Sequence, residues 1–114
     1  MTLLDILKVT AAVVTVLTGL LSFVRPRSVK GFTGLDTSGP RGVTEIRAVL
    51  GGAFIALGTV PLVLRTPEAF RFLGIVYLVI GVTRIAGLFL DRSVVRSNLV
   101  SLAVEIVFGL ILVP

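Results

Sequence analysis

FLGIVYLVIGVTRIAGLFL, residues 72–90, is followed after a three-residue break by VVRSNLVSLAVEIVFGLILVP, residues 94–114. Both stretches are nearly pure hydrocarbon, yet Arg84 lies well inside the first and Glu105 near the middle of the second. Runs of about 20 apolar residues match the ~30 Å hydrocarbon thickness of a bilayer. An ionised group at that depth costs at least ~2.5 kcal/mol on insertion scales, so each charge signals pairing or function.

Working outward, two further apolar runs, Val9 to Val24 and Val43 to Leu64, have similar length. With a mean hydropathy of +1.10 and only 15% charged residues among 114, the chain lacks the polar surface that a water-soluble globule needs. Runs this long without period-2 alternation exclude a barrel, because backbone groups in lipid must be satisfied within each segment. The reading is therefore an all-α, antiparallel four-helix transmembrane bundle. It forms a single membrane domain over residues 1–114, with helices at about 3–24, 43–64, 68–90 and 94–113 and a cytoplasmic loop at 25–42. The first run is read as an uncleaved span, since Val24-Arg25-Pro26-Arg27 puts charge where a signal peptide needs small residues.

The chain has no Cys and no His, which removes thiol chemistry, haem ligation by these residues and the usual zinc sites, so no cofactor and no metal is expected. The net charge of +5 comes from basic residues at helix ends rather than on one soluble face, which argues against a nucleic-acid partner. In a four-span chain, Arg25, Arg27, Lys30, Arg41, Arg47, Arg92 and Arg96 share one side, and Lys8, Arg65 and Arg71 share the other. The positive-inside bias then places both connections of the larger set in the cytoplasm of a bacterial inner-membrane protein, with both termini outside.

Helical spacing gathers the polar and small residues into stripes. In the third run Gly74, Tyr77, Gly81 and Arg84 recur at three and four; in the fourth Ser97, Ser101, Glu105 and Gly109 recur at four, with Asn98 alongside. Such stripes belong against protein rather than lipid. Counted from the break at 91–93, Arg84 lies about 10 Å deep and Glu105 about 18 Å. Helical side chains lean toward their own N-terminus, so the two converge on an Arg–carboxylate pair. No second carboxylate, His, Cys or Lys lies at that depth, so catalysis is poorly equipped and no catalytic residue is assigned.

In the second run Arg47, Gly51 and Gly58 share one face, with Ala48, Gly52 and Ala56 as a small-residue ridge beside it. Ala48, Gly51, Gly52 and Gly58 are expected to line a helix contact, so that Gly52→Leu should part it. Glu45 and Arg47 are expected to serve helix packing and an interfacial charge pair, the alternative being that they extend the polar path from Arg84 to the cytoplasmic surface. In the connection 25–42, Pro and Gly forbid a continuous helix, and Val29, Phe32 and Leu35 at spacing three are expected to lie on the headgroup surface. Thr66-Pro67-Glu68 reads as an N-cap, a first-turn proline and a dipole-favoured acid opening the third helix.

Glu45-Ile46-Arg47-Ala48 leading into Gly51-Gly52 and Gly58, with Arg84 and Glu105 in the next two helices, resembles a family of small four-span bacterial membrane proteins catalogued only as a domain of unknown function. The resemblance covers most of the chain and implies a four-helix inner-membrane protein without an assigned activity. A likeness to small DoxX-type proteins is one of architecture. The function expected is that of a non-catalytic accessory or self-associating membrane subunit, in contact with membrane lipid and within a homo-oligomer or larger membrane complex. The alternative is a carrier or binding protein for a small solute, lipid or proton, with a polar cavity drawn from Glu45, Arg47, Tyr77, Asn98 and Ser101 around the Arg84 and Glu105 pair.

Overall fold

The computed structural model describes residues 1–114. The chain is all-α: α1 (Leu3–Val24), α2 (Lys30–Thr33, entered through a 3₁₀ turn at Pro26–Val29), α3 (Gly39–Leu64), α4 (Pro67–Leu90) and α5 (Arg96–Leu112). By length and composition α1, α3 and α4 can each cross a membrane. α5 has 17 residues, or about 26 Å at 1.5 Å per residue, the short end of spanning lengths. It starts at Arg96 rather than 94 because Arg92 is left-handed (φ 51°) and Val95 is extended as the N-cap.

Helix ends follow local chemistry. Thr2 and Asp5 form a reciprocal capping box on α1, satisfying two orphan N–H groups. Thr66 Oγ1 accepts from Ala69 N–H at 3.2 Å and Pro67 opens α4, as the sequence predicts. α3 starts at Gly39, four residues before the predicted position, because Pro40 falls in the first turn, where its missing N–H costs nothing.

Within α3, Ile46–Gly52 winds as a π-helix. This wider turn lets Ile46 and Gly51, five residues apart, both reach the buried side, followed by Gly58 and Pro61. The structure therefore corrects the expected ridge. Gly51 and Gly58 make the contact, whereas Ala48, Gly52 and Ala56 face outward and a Cβ on Gly52 would meet nothing within 4 Å.

The interior is rich in small residues while the exterior is greasy. Only 19 of 114 residues are buried; they include Gly19, Gly51, Gly58, Gly74, Gly81 and Gly109 as well as Thr15, Ser22 and Glu105, whereas Leu17, Val63, Val82 and Phe89 are exposed. Close backbone approach explains the glycines. A Cβ on Gly58 would lie 2.5 Å from Ala12 O, one on Gly19 would lie 2.7 Å from Gly51 O, and one on Gly74 would lie 2.8 Å from Leu112 Cβ. α1 packs along α3, and α4 along α5. Ala11, Ala12, Leu73, Tyr77 and Leu112 join the two pairs in one core cluster.

The connection after α1 also departs from its predicted surface placement. Val29 is fully buried and Phe32 half-buried, with α2 packed against α5; only Leu35 stays exposed. Gly34, left-handed at φ 75°, ends α2.

Candidate functional site

At Gly81, α4 and α5 come close enough to exchange side chains. A Cβ there would lie 3.7 Å from Glu105 Cβ, an ordinary contact, so the helices are close without being jammed. Three residues on, Arg84 meets Glu105 in a fork. Nε donates to Oε1 and Nη2 to Oε2, both at 2.7 Å. Nη1 donates to Asn98 Oδ1, also at 2.7 Å. Asn98 Nδ2 in turn donates to Ser93 O at 3.0 Å and to Ser93 Oγ at 3.1 Å. The carboxylate side chain keeps 9% of its surface exposed and the guanidinium 30%. Bidentate, charge-assisted geometry is the arrangement that best repays removal of both ions from water. Three of the five guanidinium N–H donors are used, leaving two.

The pair borders a cavity of about 630 Å³ between α1, α3, α4, α5 and α2. Tyr77, Arg84, Ser101 and Glu105 line it together with Thr18, Arg96, Ser97 and the rings of Phe32, Phe54 and Phe108. Most of its polar groups are already engaged. Thr18 and Thr33 hydroxyls donate to carbonyls four residues back, and Tyr77 OH meets Thr15 Oγ1 at 2.5 Å. Ser97, Ser101 and Arg96 make no side-chain hydrogen bond within the chain. On the other side of Arg84 a polar hollow is lined by Thr83, Asp91, Ser93 and Asn98. Arg84 borders both spaces. No three acidic side chains gather at one place, and both oxygens of Glu105 are bound to Arg84, so the donor set suits a hydrogen-bonding or anionic guest rather than a bare cation.

Several predicted residues fall elsewhere. Glu45 accepts from Arg41 Nε at 2.9 Å on the surface. Arg47 Nη1 donates to the Phe23 carbonyl, with its guanidinium 5.8 Å from the Phe23 ring centroid. Neither joins the Arg84 cavity, because the last carbonyls of α1 lack helical partners and a cation there also meets the negative end of the helix dipole. Gly109 packs on Leu78, and Gly74 on Leu112 and Val113. Two contacts were not anticipated: the Thr15–Tyr77 bond, and Arg71 Nε donating to Val113 O at 3.0 Å at the end of α5. The second follows from register, since placing Arg84 opposite Glu105 carries Arg71 to the far end of α5. The first needed knowledge of which face α1 presents to α4.

These features define a small all-α protein with three helices of membrane-spanning length and an ion pair held between two helices. The chain belongs to the family described as Domain of unknown function (DUF4345), whose model matches residues 3–114. No curated protein and no solved structure matches it.

Proposed function

We propose that this chain is a non-catalytic inner-membrane protein, an antiparallel four-helix transmembrane bundle of one domain with α5 as its short fourth span, which binds a small molecule in the cavity beside Arg84 and Glu105. The observation that carries the reading is that the ion pair is not sealed in packing. It borders a cavity of about 630 Å³, within the ~300–1,000 Å³ typical of small-molecule sites. An ion pair serving only to fix register gains nothing from an adjoining cavity. The test is a census of small molecules retained after purification in mild detergent, comparing wild type with Val104→Trp, which fills the cavity. A stoichiometric molecule present in the first and absent from the second is expected; retention in both would sink the cavity reading.

A second reading, an accessory or self-associating subunit, is favoured by the outward-facing Ala48, Gly52 and Ala56, since small residues on a lipid-facing ridge allow another helix to approach. Sedimentation of Gly52→Leu in detergent tests it: loss of oligomer with an unchanged melting temperature is the expected signature.

A further inference from the structure

We infer that the cavity takes a single-chain anionic amphiphile, a long-chain carboxylate, with its head group at Arg96 and its chain running toward Phe108. This rests on the cavity reading above and names its ligand class.

Shape gives the first argument. The lining residues of α5 run from Arg96 to Phe108 along one face, twelve residues or about 18 Å at 1.5 Å each. A lining that extends this far along α5 accommodates one extended chain.

Polarity along that length gives the second. Deep in the cavity the polar groups are occupied: Glu105 holds Arg84, and Tyr77 is paired with Thr15. The side chains without internal partners, Arg96, Ser97 and Ser101, gather toward the start of α5. Beyond them Val104 and Phe108 continue the same face, with Phe54 opposite. A guest with one polar end and an apolar body satisfies both regions, whereas a uniformly polar solute would leave the aromatic end unmatched.

Charge gives the third. The ionised groups lining the cavity are Arg84, Arg96 and Glu105, and Glu105 is neutralised by Arg84, leaving one net positive charge. A monoanion is the complement. Val95 supplies no side-chain cap to α5, so the positive end of that helix dipole adds to the same field.

The experiment measures binding of tritiated palmitate and tritiated hexadecanol, equal in chain length and different in head group, to the purified full chain in detergent. Palmitate is expected to bind more tightly. Arg96→Gln should weaken palmitate by about tenfold, as loss of one charge-assisted contact implies, and leave hexadecanol unchanged; Arg96→Lys should keep most of the palmitate affinity. Val104→Trp should abolish binding of both. Equal affinity for acid and alcohol in wild type, or an equal loss of both in Arg96→Gln, overturns the head-group assignment while leaving a lipophile-binding cavity. Palmitate binding that needs Arg96 but survives Val104→Trp overturns the inference by moving the anion to the surface. An unchanged melting temperature for Arg96→Gln, an exposed position, separates ligand loss from unfolding.

Discussion

Tyr77 donates its phenolic hydrogen to Thr15. Their oxygens lie 2.5 Å apart, and because the single Thr15 hydroxyl hydrogen is directed to Ala11 O at 2.8 Å, Thr15 Oγ1 can only accept. The bond ties α1 to α4 at the buried centre, where Tyr77 also packs edge-to-face on Phe108 with ring centroids 5.4 Å apart. One side chain thus joins the two helix pairs and forms part of the cavity wall.

Tyr77→Phe should therefore cost about 1 kcal/mol, the net value of one hydrogen bond, and Tyr77→Ala about 3–5 kcal/mol through the cavity it leaves. Unfolding in mixed detergent reads both. Equal losses would mean that the hydroxyl, not the ring, carries the join.

Gly58→Ala should destabilise by roughly 1–3 kcal/mol, since the new methyl would lie 2.5 Å from Ala12 O and 2.8 Å from Val16 N, backbone atoms that cannot step aside. Gly52→Ala meets open space and should leave the melting temperature unchanged or slightly raised, because alanine is the better helix former. A fall at Gly52 matching that at Gly58 would return the contact to the Ala48–Gly52–Ala56 ridge.

The contrast between these glycines marks what the sequence could carry. Apolar runs and breakers were enough to locate α1 and α4, because backbone satisfaction in lipid leaves helices as the simple option. Arg84 and Glu105 could be paired by depth and side-chain lean because one short hairpin fixes their register. Helical counting along α3 groups Gly51 with Gly58 and Ala48 with Gly52 and Ala56, but two adjacent small-residue faces do not say which one meets α1, and the π-helical turn at Ile46–Gly52 adds Ile46 to the buried side. The partner of Arg47 is not legible in the sequence, because a main-chain carbonyl at the end of α1 leaves no side-chain signature.

Asp36 supplies a pH test outside the long helices. The Lys30 ammonium, 3.2 Å from Oδ2, and the Thr37 N–H hold its carboxyl below the ordinary aspartate value. A lowered folded-state value means that the contribution of the contact is present at neutral pH and is lost as pH falls through that value. In an NMR titration the Asp36 midpoint should lie below that of an unfolded peptide and rise in Lys30→Ala. No movement would detach Asp36 from Lys30 in solution.

Orientation follows from charge. In the proposed four-span arrangement seven basic residues fall on the side of the 25–47 and 91–96 connections and three on the other, so reporter fusions at both termini should be active only outside the cytoplasm. Activity inside at both ends would invert the bundle; opposite locations would show that α5, at 17 residues, does not cross.

Glu105→Gln should destabilise more than Arg84→Gln. A carboxylate left alone can shed its charge by taking a proton, whereas a guanidinium cannot, so removing the acid strands a cation between helices. Arg84 then has only neutral acceptors, Asn98 Oδ1 and the introduced carboxamide oxygen. The double variant should lose less than the sum of the single losses, with a coupling of about 1–3 kcal/mol in a double-mutant cycle read by unfolding in detergent. Additivity would show that the fork contributes no joint energy. Coupling with little loss of stability, together with loss of palmitate binding in the single variants, would instead show that the pair's main role is to shape the cavity wall. The α4–α5 join would then rest on Gly74 and Gly109, whose missing side chains permit the close approach.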